Sequence, residues 1–315
     1  MWFRASNITN PEGHAIMCEI VGLYLKTPSL RPELGSLFAP MLTEMSDRGP
    51  DSAGIAVYRE GGAGEAKVVA YHPDADFGWD AIAAGLAARV GGAVSVEPVA
   101  NHAILSGGAS ATALRDALFA AYPDVRVMSA GTSLEIYKDV GLPGEVLDRF
   151  HVGAVGGSHA VGHTRMATES AVSTEGAHPF NTGDDLCLVH NGSLSNHNGL
   201  REYLSTHKGI AFQTDNDSEV AAAYLTWRMS EGASLSEALE AALKDLDGFY
   251  TFAIGTRDGF AVLRDPIACK PAVMAETDDW VAMASEFRAL AGLPGIGNAT
   301  VWEPKPATVY SWGRA

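Results

Sequence analysis

Residues 15–26 read AIMCEIVGLYLK. The run EIVGLYL is apolar almost throughout and predicts a buried strand over residues 19–25. Immediately before it stand Met17 and Cys18. A free cysteine beside such a strand is ordinarily a small buried hydrophobe. The other reading is a nucleophile. A thiol titrates at about 8.5 and an α-amino group at about 7.7–8.0. A cysteine at a true N-terminus therefore carries its own general base, which an amide nitrogen inside a chain cannot be. Catalysis by Cys18 requires residues 1–17 to be absent from, or removed in, the active protein. Initiation at Met17 followed by methionine removal would leave Cys18 first.

The 315 residues carry 38 Asp and Glu against 22 Lys and Arg, a net charge of −16. With no basic cluster, a nucleic-acid partner is not expected. No apolar run reaches the length of a membrane span, and residues 1–16 lack the apolar centre of a secretory signal. Three cysteines in a chain this long make no disulfide framework. These features together point to a cytoplasmic protein without a membrane partner.

PELGSLFAPMLTEMSDRG predicts a helix with Leu34, Leu37, Phe38, Met41, Leu42 and Met45 on one face and a stop at Gly49. AGIAVYRE and AKVVAYH suggest a hairpin across the glycines at 61, 62 and 64. Residues 80–150 alternate helix-like and strand-like runs. HAVGHTRMA and DLCLVHNG read as strands, and SEVAAAYLTWRM and SLSEALEAALKDL as helices, the second opening on a Ser234–Glu237 capping box. The remainder is rich in strands. Strands at both ends with helices between predict an α+β layered domain.

Several loops hold polar residues of two possible meanings. Asn191-Gly192 in VHNGSLSN is the strongest short turn signal, and equally a pair of N–H donors for an oxyanion; taken alone, the turn is favoured. Arg165 in GHTRMATES is a surface ion pair or a bidentate carboxylate clamp. Asp217 in TDNDSEV is a helix N-cap or an acceptor for an ammonium group. His178 before Pro179 shapes a loop or meets a substrate. Arg48 and Gly49 in RGPDSAG fit a helix stop. The histidines lack metal-ligand spacing, and HExxH, CxxC, GxGxxG and GxSxG are all absent from the sequence.

The order of these segments is more specific than any one of them. Met17-Cys18 before an apolar strand, then RGPDSAG, HTRMAT, AHPF, VHNGSLSN, DNDSEV, LRDPIACKP and MASEFRAL, resembles a class II glutamine amidotransferase from Met17 to about residue 312. The resemblance is nearest to the stand-alone amidotransferase subunits of glutamate-synthase-like and N-methylglutamate-synthase-like enzymes. It implies an N-terminal nucleophile hydrolase fold, a four-layer αββα sandwich of antiparallel sheets, with residues 18–315 as one amidotransferase domain. It implies Cys18 as nucleophile and Asn191 and Gly192 as the oxyanion hole. Arg165 would hold the glutamine α-carboxylate with Thr168 beside it, and Asp217 the α-ammonium, with Arg48, Gly49 and His178 lining the same pocket. The implied partners are L-glutamine and synthase subunits bearing flavin or iron–sulfur centres, with no cofactor in this chain. Three positions depart from the family: Glu19 and Ala268 stand where glycine is usual, and Thr168-Glu169-Ser170 offers no histidine. Two other readings fit the residues: an amidohydrolase of another small amide, and a non-catalytic subunit that binds amino acids.

Overall fold

The computed structural model describes residues 18–59, 65–108, 110–166 and 172–313. The strands are Glu19–Leu25 (β1), Ser52–Tyr58 (β2), Ala66–Tyr71 (β3), Val94–Val99 (β4), His102–Gly107 (β5), Arg126–Gly131 (β6), Leu134–Val140 (β7) and His159–Arg165 (β8). They continue with Phe180–Gly183 (β9), Leu186–Leu194 (β10), Gly248–Thr256 (β11), Gly259–Arg264 (β12), Val273–Glu276 (β13), Trp280–Ala284 (β14), Thr300–Trp302 (β15) and Val309–Gly313 (β16). The helices are Leu34–Thr43 (α1), Trp79–Val90 (α2), Ala111–Ala121 (α3), Pro143–Arg149 (α4), His197–Lys208 (α5), Asp217–Ser230 (α6) and Leu235–Asp245 (α7).

Two antiparallel sheets lie face to face. One runs β15-β13-β14-β1-β8-β2-β7 and the other β16-β12-β11-β10-β9. Strand alternation explains how the second sheet serves two cores. Its inward residues Cys187, Val189, Ala253, Phe260 and Val262 join Ile20, Val161 and Met283 of the first sheet. Its outward residues Leu188, Phe252, Ile254 and Leu263 pack under α6 and α7 with Val220, Tyr224 and Leu239. On the far side of the first sheet, α1 and α4 contribute Phe38, Met41, Val146 and Leu147. Gly22 marks how closely the sheets approach: a Cβ there would press on the Phe260 ring at 2.6 Å. Helix, sheet, sheet and helix are the four layers expected, in an α+β fold.

The structure corrects the sequence reading in three places. The expected hairpin between β2 and β3 does not form. β2 pairs with β7 and β8, whereas β3 pairs with β5 and β6. A third sheet, β4-β5-β3-β6, has its own core with α2 and α3 around Val68, Leu86, Leu105, Leu114 and Leu118; it adds to the four layers. The chain leaves this sheet at the end of β6, where the Asp185 carboxylate accepts backbone N–H groups of Thr132, Ser133 and Leu134 at 2.8–2.9 Å. Those donors hold its carboxyl below the usual carboxylate range. Third, α5 was not foreseen, because Leu204 is its one fully buried side chain and its apolar face is narrow.

Candidate active site

Cys18 stands at the entrance to β1, half-buried. Its Sγ faces the Met166 carbonyl at 3.7 Å, just beyond the end of β8. Burial pushes the thiol up, opposed by that carbonyl contact and by the nearby charges of Arg165 and Lys270, while Glu19 pushes the same way as burial. Cys18 is thus a thiol at neutral pH, and any attack by its sulfur would need a base to take the proton.

β1 and β10 lie in opposite sheets, and their ends converge here. Asn191 Nδ2 donates to the Cys18 carbonyl at 2.7 Å. The Asn191-Gly192 pair is not a turn, as its dipeptide signal suggested. It lies inside β10, with Asn191 opposite Thr251 and Gly192 opposite Tyr250 of β11. Gly192 has φ +150°, and a Cβ there would drive into the Phe249 carbonyl. Glycine is therefore required for this close strand approach.

Arg165 ends β8, and its Nη1 donates to the Gly176 carbonyl at 3.3 Å. Asp217 opens α6 but does not cap it. The cap is Asn216, whose side chain accepts the Ser218 N–H at 2.9 Å. This releases the Asp217 carboxylate, which accepts the Leu194 N–H at 2.9 Å and lies 3.8 Å from His190 Nδ1. Cys18, Arg165, His178, Asn191, Gly192 and Asp217 all line one cleft of about 1010 Å³. A cation and an anion there flank a thiol and two potential N–H donors.

Residues 163–292 match the glutamine amidotransferase domain family. The chain is 58% identical to the glutamine amidotransferase-like protein GlxB of Rhizobium meliloti, over 94% of this chain and 98% of that protein. The chain belongs to the class II glutamine amidotransferases. As a member it is an enzyme of the amidotransferase type. Glutamine phosphoribosylpyrophosphate amidotransferase from B. subtilis shares the fold, with a TM-score of 0.58 at 21% identity over 94% of this chain and 49% of that one. The solved structure of the allosteric regulatory enzyme of purine biosynthesis does too, with a TM-score of 0.61 at 21% identity over 94% of this chain and 47% of that one. The chain spans about half the length of these two solved relatives. The fold is the N-terminal nucleophile hydrolase fold of these amidotransferases.

Behind the cleft of this amidotransferase lies a histidine cluster that sequence reasoning did not assign. The Ser218 hydroxyl meets His178 Nε2 at 2.8 Å and His190 Nδ1 at 2.9 Å. His163 stacks on His178 with centroids 4.0 Å apart, and its Nε2 contacts the His190 carbonyl at 3.1 Å. Burial drives His163 down to about 3, His190 to about 4, and His178 well below its ordinary value. These rings are neutral at pH 7 and act as a rigid backing. His178 thus touches the cleft while its ring is held from behind, and its peptide bond to Pro179 is cis.

Arg48 and Gly49, expected to line the pocket, are not among the residues of the cleft wall. Arg48 turns to Glu286 and to Glu19, the latter at 3.5 Å. The physical reason is Glu19, fully buried, which needs a nearby cation. Burial raises its carboxyl to about 7. Gly49 serves packing, since a Cβ would press on Thr164. Thr168, and the 1–17 extension, lie outside the described residues. Lys270 and Gln213 are among the cleft residues that the sequence reading missed. Lys270 comes from the LRDPIACKP loop, whose quoted motif was the available signal. Gln213 comes from the segment before α6, where its side chain pairs with both backbone groups of Val127 at 3.2 and 2.9 Å and ties the third sheet to the cleft. Local periodicity carries no sign of that contact.

Proposed function

We propose that the protein hydrolyses L-glutamine to glutamate and ammonia with Cys18 as nucleophile and N-terminal residue. The observation that carries this reading is the shared cleft, in which Arg165 and Asp217 offer opposite charges to the two ends of an amino-acid zwitterion while Cys18 and Asn191-Gly192 meet its amide. Cys18 Sγ attacks the carboxamide carbon, and its proton passes to the freed α-amino group. One N–H of the Asn191 amide holds the Cys18 carbonyl. The other, with the Gly192 N–H, takes the oxyanion. Collapse of the tetrahedral intermediate breaks the C–N bond, and the α-ammonium protonates the departing ammonia. Water, activated by the same amine, then cleaves the thioester and releases glutamate.

We further infer that the active chain starts at Cys18 and that the ammonia passes to a glutamate-synthase-like partner subunit in the cytoplasm, with flavin or iron–sulfur chemistry residing in that partner. Support comes from the solved B. subtilis relative, in which the similar segment is about half of a longer chain, so that there the domain is one part of a larger amidotransferase. The test is ammonia release from L-glutamine by protein whose intact mass shows Cys18 first, compared with its Cys18→Ala variant. Turnover by the parent and none by the variant is expected. Ammonia release by Cys18→Ala, or by protein retaining residues 1–17, would refute the assignment. Copurification of a flavin or iron–sulfur protein with the chain from its host tests the partner.

A further inference from the structure

Lys138 lies within β7, and its side chain is buried. Its ammonium donates to three main-chain carbonyls of one loop: Glu175 at 3.1 Å, Ala177 at 2.7 Å and Pro179 at 3.1 Å. Burial lowers this amine to about 7, and only as an ammonium, with three N–H groups and no acceptor, does it satisfy all three carbonyls. The Phe180 ring centroid lies 4.6 Å from the same nitrogen. The next residue, Asp139, grips the foot of the loop by accepting from Thr174 Oγ1 at 2.6 Å. Asp139 is braced in turn by Asn101 at 2.9 Å and by Arg149.

The loop so held forms one wall of the cleft, through Ser173, Glu175, Gly176 and His178. Its Gly176 carbonyl is the acceptor for Arg165 Nη1. A charged amine is costly to bury unless every N–H is satisfied, and an apolar residue would serve packing at this strand position. What the ammonium adds is a fixed position for three successive alternate carbonyls of an irregular segment that has no sheet ladder of its own.

We propose that Lys138 is a positioning residue for the glutamine pocket: it fixes residues 174–180 and, through the Gly176 carbonyl, aims the Arg165 guanidinium at the substrate carboxylate. This rests on the reading of Arg165 as the carboxylate clamp. Lys138 itself does not line the cleft, so its effect is on the recognition of one substrate group and not on bond cleavage.

The experiment compares L-glutamine with 4-aminobutanamide, which is glutamine without its α-carboxylate, on the chain beginning at Cys18. Lys138→Met should raise KM for glutamine about ten-fold, the effect of losing one hydrogen bond to a charged group, with kcat nearly unchanged. kcat/KM for 4-aminobutanamide should stay at the parent value. An equal loss on both substrates would reduce Lys138 to general stability and overturn the proposal. If Lys138→Met does not fold by circular dichroism, Thr174→Val takes its place, with a smaller rise in KM confined to glutamine; unaltered discrimination in that variant overturns the proposal. Arg165→Lys in the parent separates the two inferences. If it leaves the preference for glutamine intact, the clamp reading fails. If it removes the preference while Lys138→Met or its substitute does not, the clamp stands and the positioning role fails.

Discussion

The side-chain amide of Asn191 is hydrogen-bonded to the main-chain carbonyl of Cys18 at 2.7 Å, across 173 residues of sequence. The bond joins the lip of one sheet to the lip of the other. It fixes the donor proposed for the oxyanion relative to the residue proposed to carry the attacking sulfur. Such fixed placement is what lets a hydrogen-bond donor favour a transition state over a ground state.

Asn191→Ala is expected to lower kcat for glutamine by about 10²–10³-fold with KM nearly unchanged. Because the same amide supports the Cys18 carbonyl, the variant should also lose about 1 kcal/mol of folding stability. Steady-state kinetics and urea unfolding on one preparation check both. A change confined to KM would remove Asn191 from the chemistry.

Alkylation reports the state of the thiol. Burial raises the Cys18 pKa, so its reaction with iodoacetamide should keep accelerating with pH beyond the ordinary thiol range instead of levelling at neutrality. Cys269 is exposed and would react as well, so the profile is measured on Cys269→Ser protein. Cys187, pushed up to about 12 by burial, should stay silent. A plateau near pH 7 would show a preformed thiolate.

Substrate pruning addresses the two charges in the cleft. Glutaramate lacks the α-ammonium and 4-aminobutanamide lacks the α-carboxylate. Each leaves one of Asp217 and Arg165 without its substrate partner, and loss of a buried charge partner costs about 2–5 kcal/mol. Both should fall at least about thirty-fold below glutamine in kcat/KM. Asparagine should also fall below glutamine, since its carboxamide stops one methylene short of Cys18. Arg165→Lys should restore little, because a point charge does not reproduce a planar fork. Equal turnover of either pruned amide would remove the matching residue from the pocket.

Ala268 occupies φ +51°, in the position where the related loops are expected to carry glycine. The left-handed region costs a residue with a Cβ about 1–2 kcal/mol, partly offset by the extra unfolded-state freedom of glycine. Ala268→Gly should therefore stabilise the protein by about 0.5–1 kcal/mol, seen as a higher urea midpoint at an unchanged slope. A lower midpoint would show that the loop does not carry this strain.

Acid should destabilise the fold well before its ordinary carboxylates protonate. His102, His159 and His163 are held near 3, His190 near 4, and His178 well below its usual value, all by burial. Below pH 6.5 the unfolded chain takes up protons that these folded histidines refuse, so stability falls with pH by about 1.4 kcal/mol per unit for each such group. Glu19, raised to about 7, works the other way between its unfolded pKa and 7, since the folded carboxyl gains a proton first. Five groups outweigh one. The urea midpoint should drop steeply from pH 6.5 to 4, and a flat midpoint across that range would contradict the neutral cluster.

Much of this was legible in residue order. β1, the Ser234–Glu237 capping box and the helix face of Leu34, Phe38, Met41 and Leu42 are local patterns, and local patterns survive in a linear string. The set Cys18, Arg165, Asn191-Gly192 and Asp217 could be named because its motifs follow one another in a specific order. The turn reading of Asn191-Gly192 failed because a dipeptide reports what its backbone tolerates. Whether that tolerance serves a turn or a close strand contact depends on Phe249 and Tyr250 opposite. The hairpin between β2 and β3 failed for a similar reason: apolar strands separated by glycines can pair with each other or with different partners.

Sequence by itself determined most of the elements, the motif-bearing side chains and the family, because periodicity, capping and motif order need no partner. Tertiary structure alone decided the third sheet, the capture of Arg48 by Glu19 and Glu286, the histidines gathered on Ser218, and the grip of Lys138 on the cleft loop. The physical reason is that a buried charge or ring takes its partners from whatever the packing brings within hydrogen-bond reach. For Lys138 those partners are backbone carbonyls, which every residue possesses and which therefore leave no mark in the sequence.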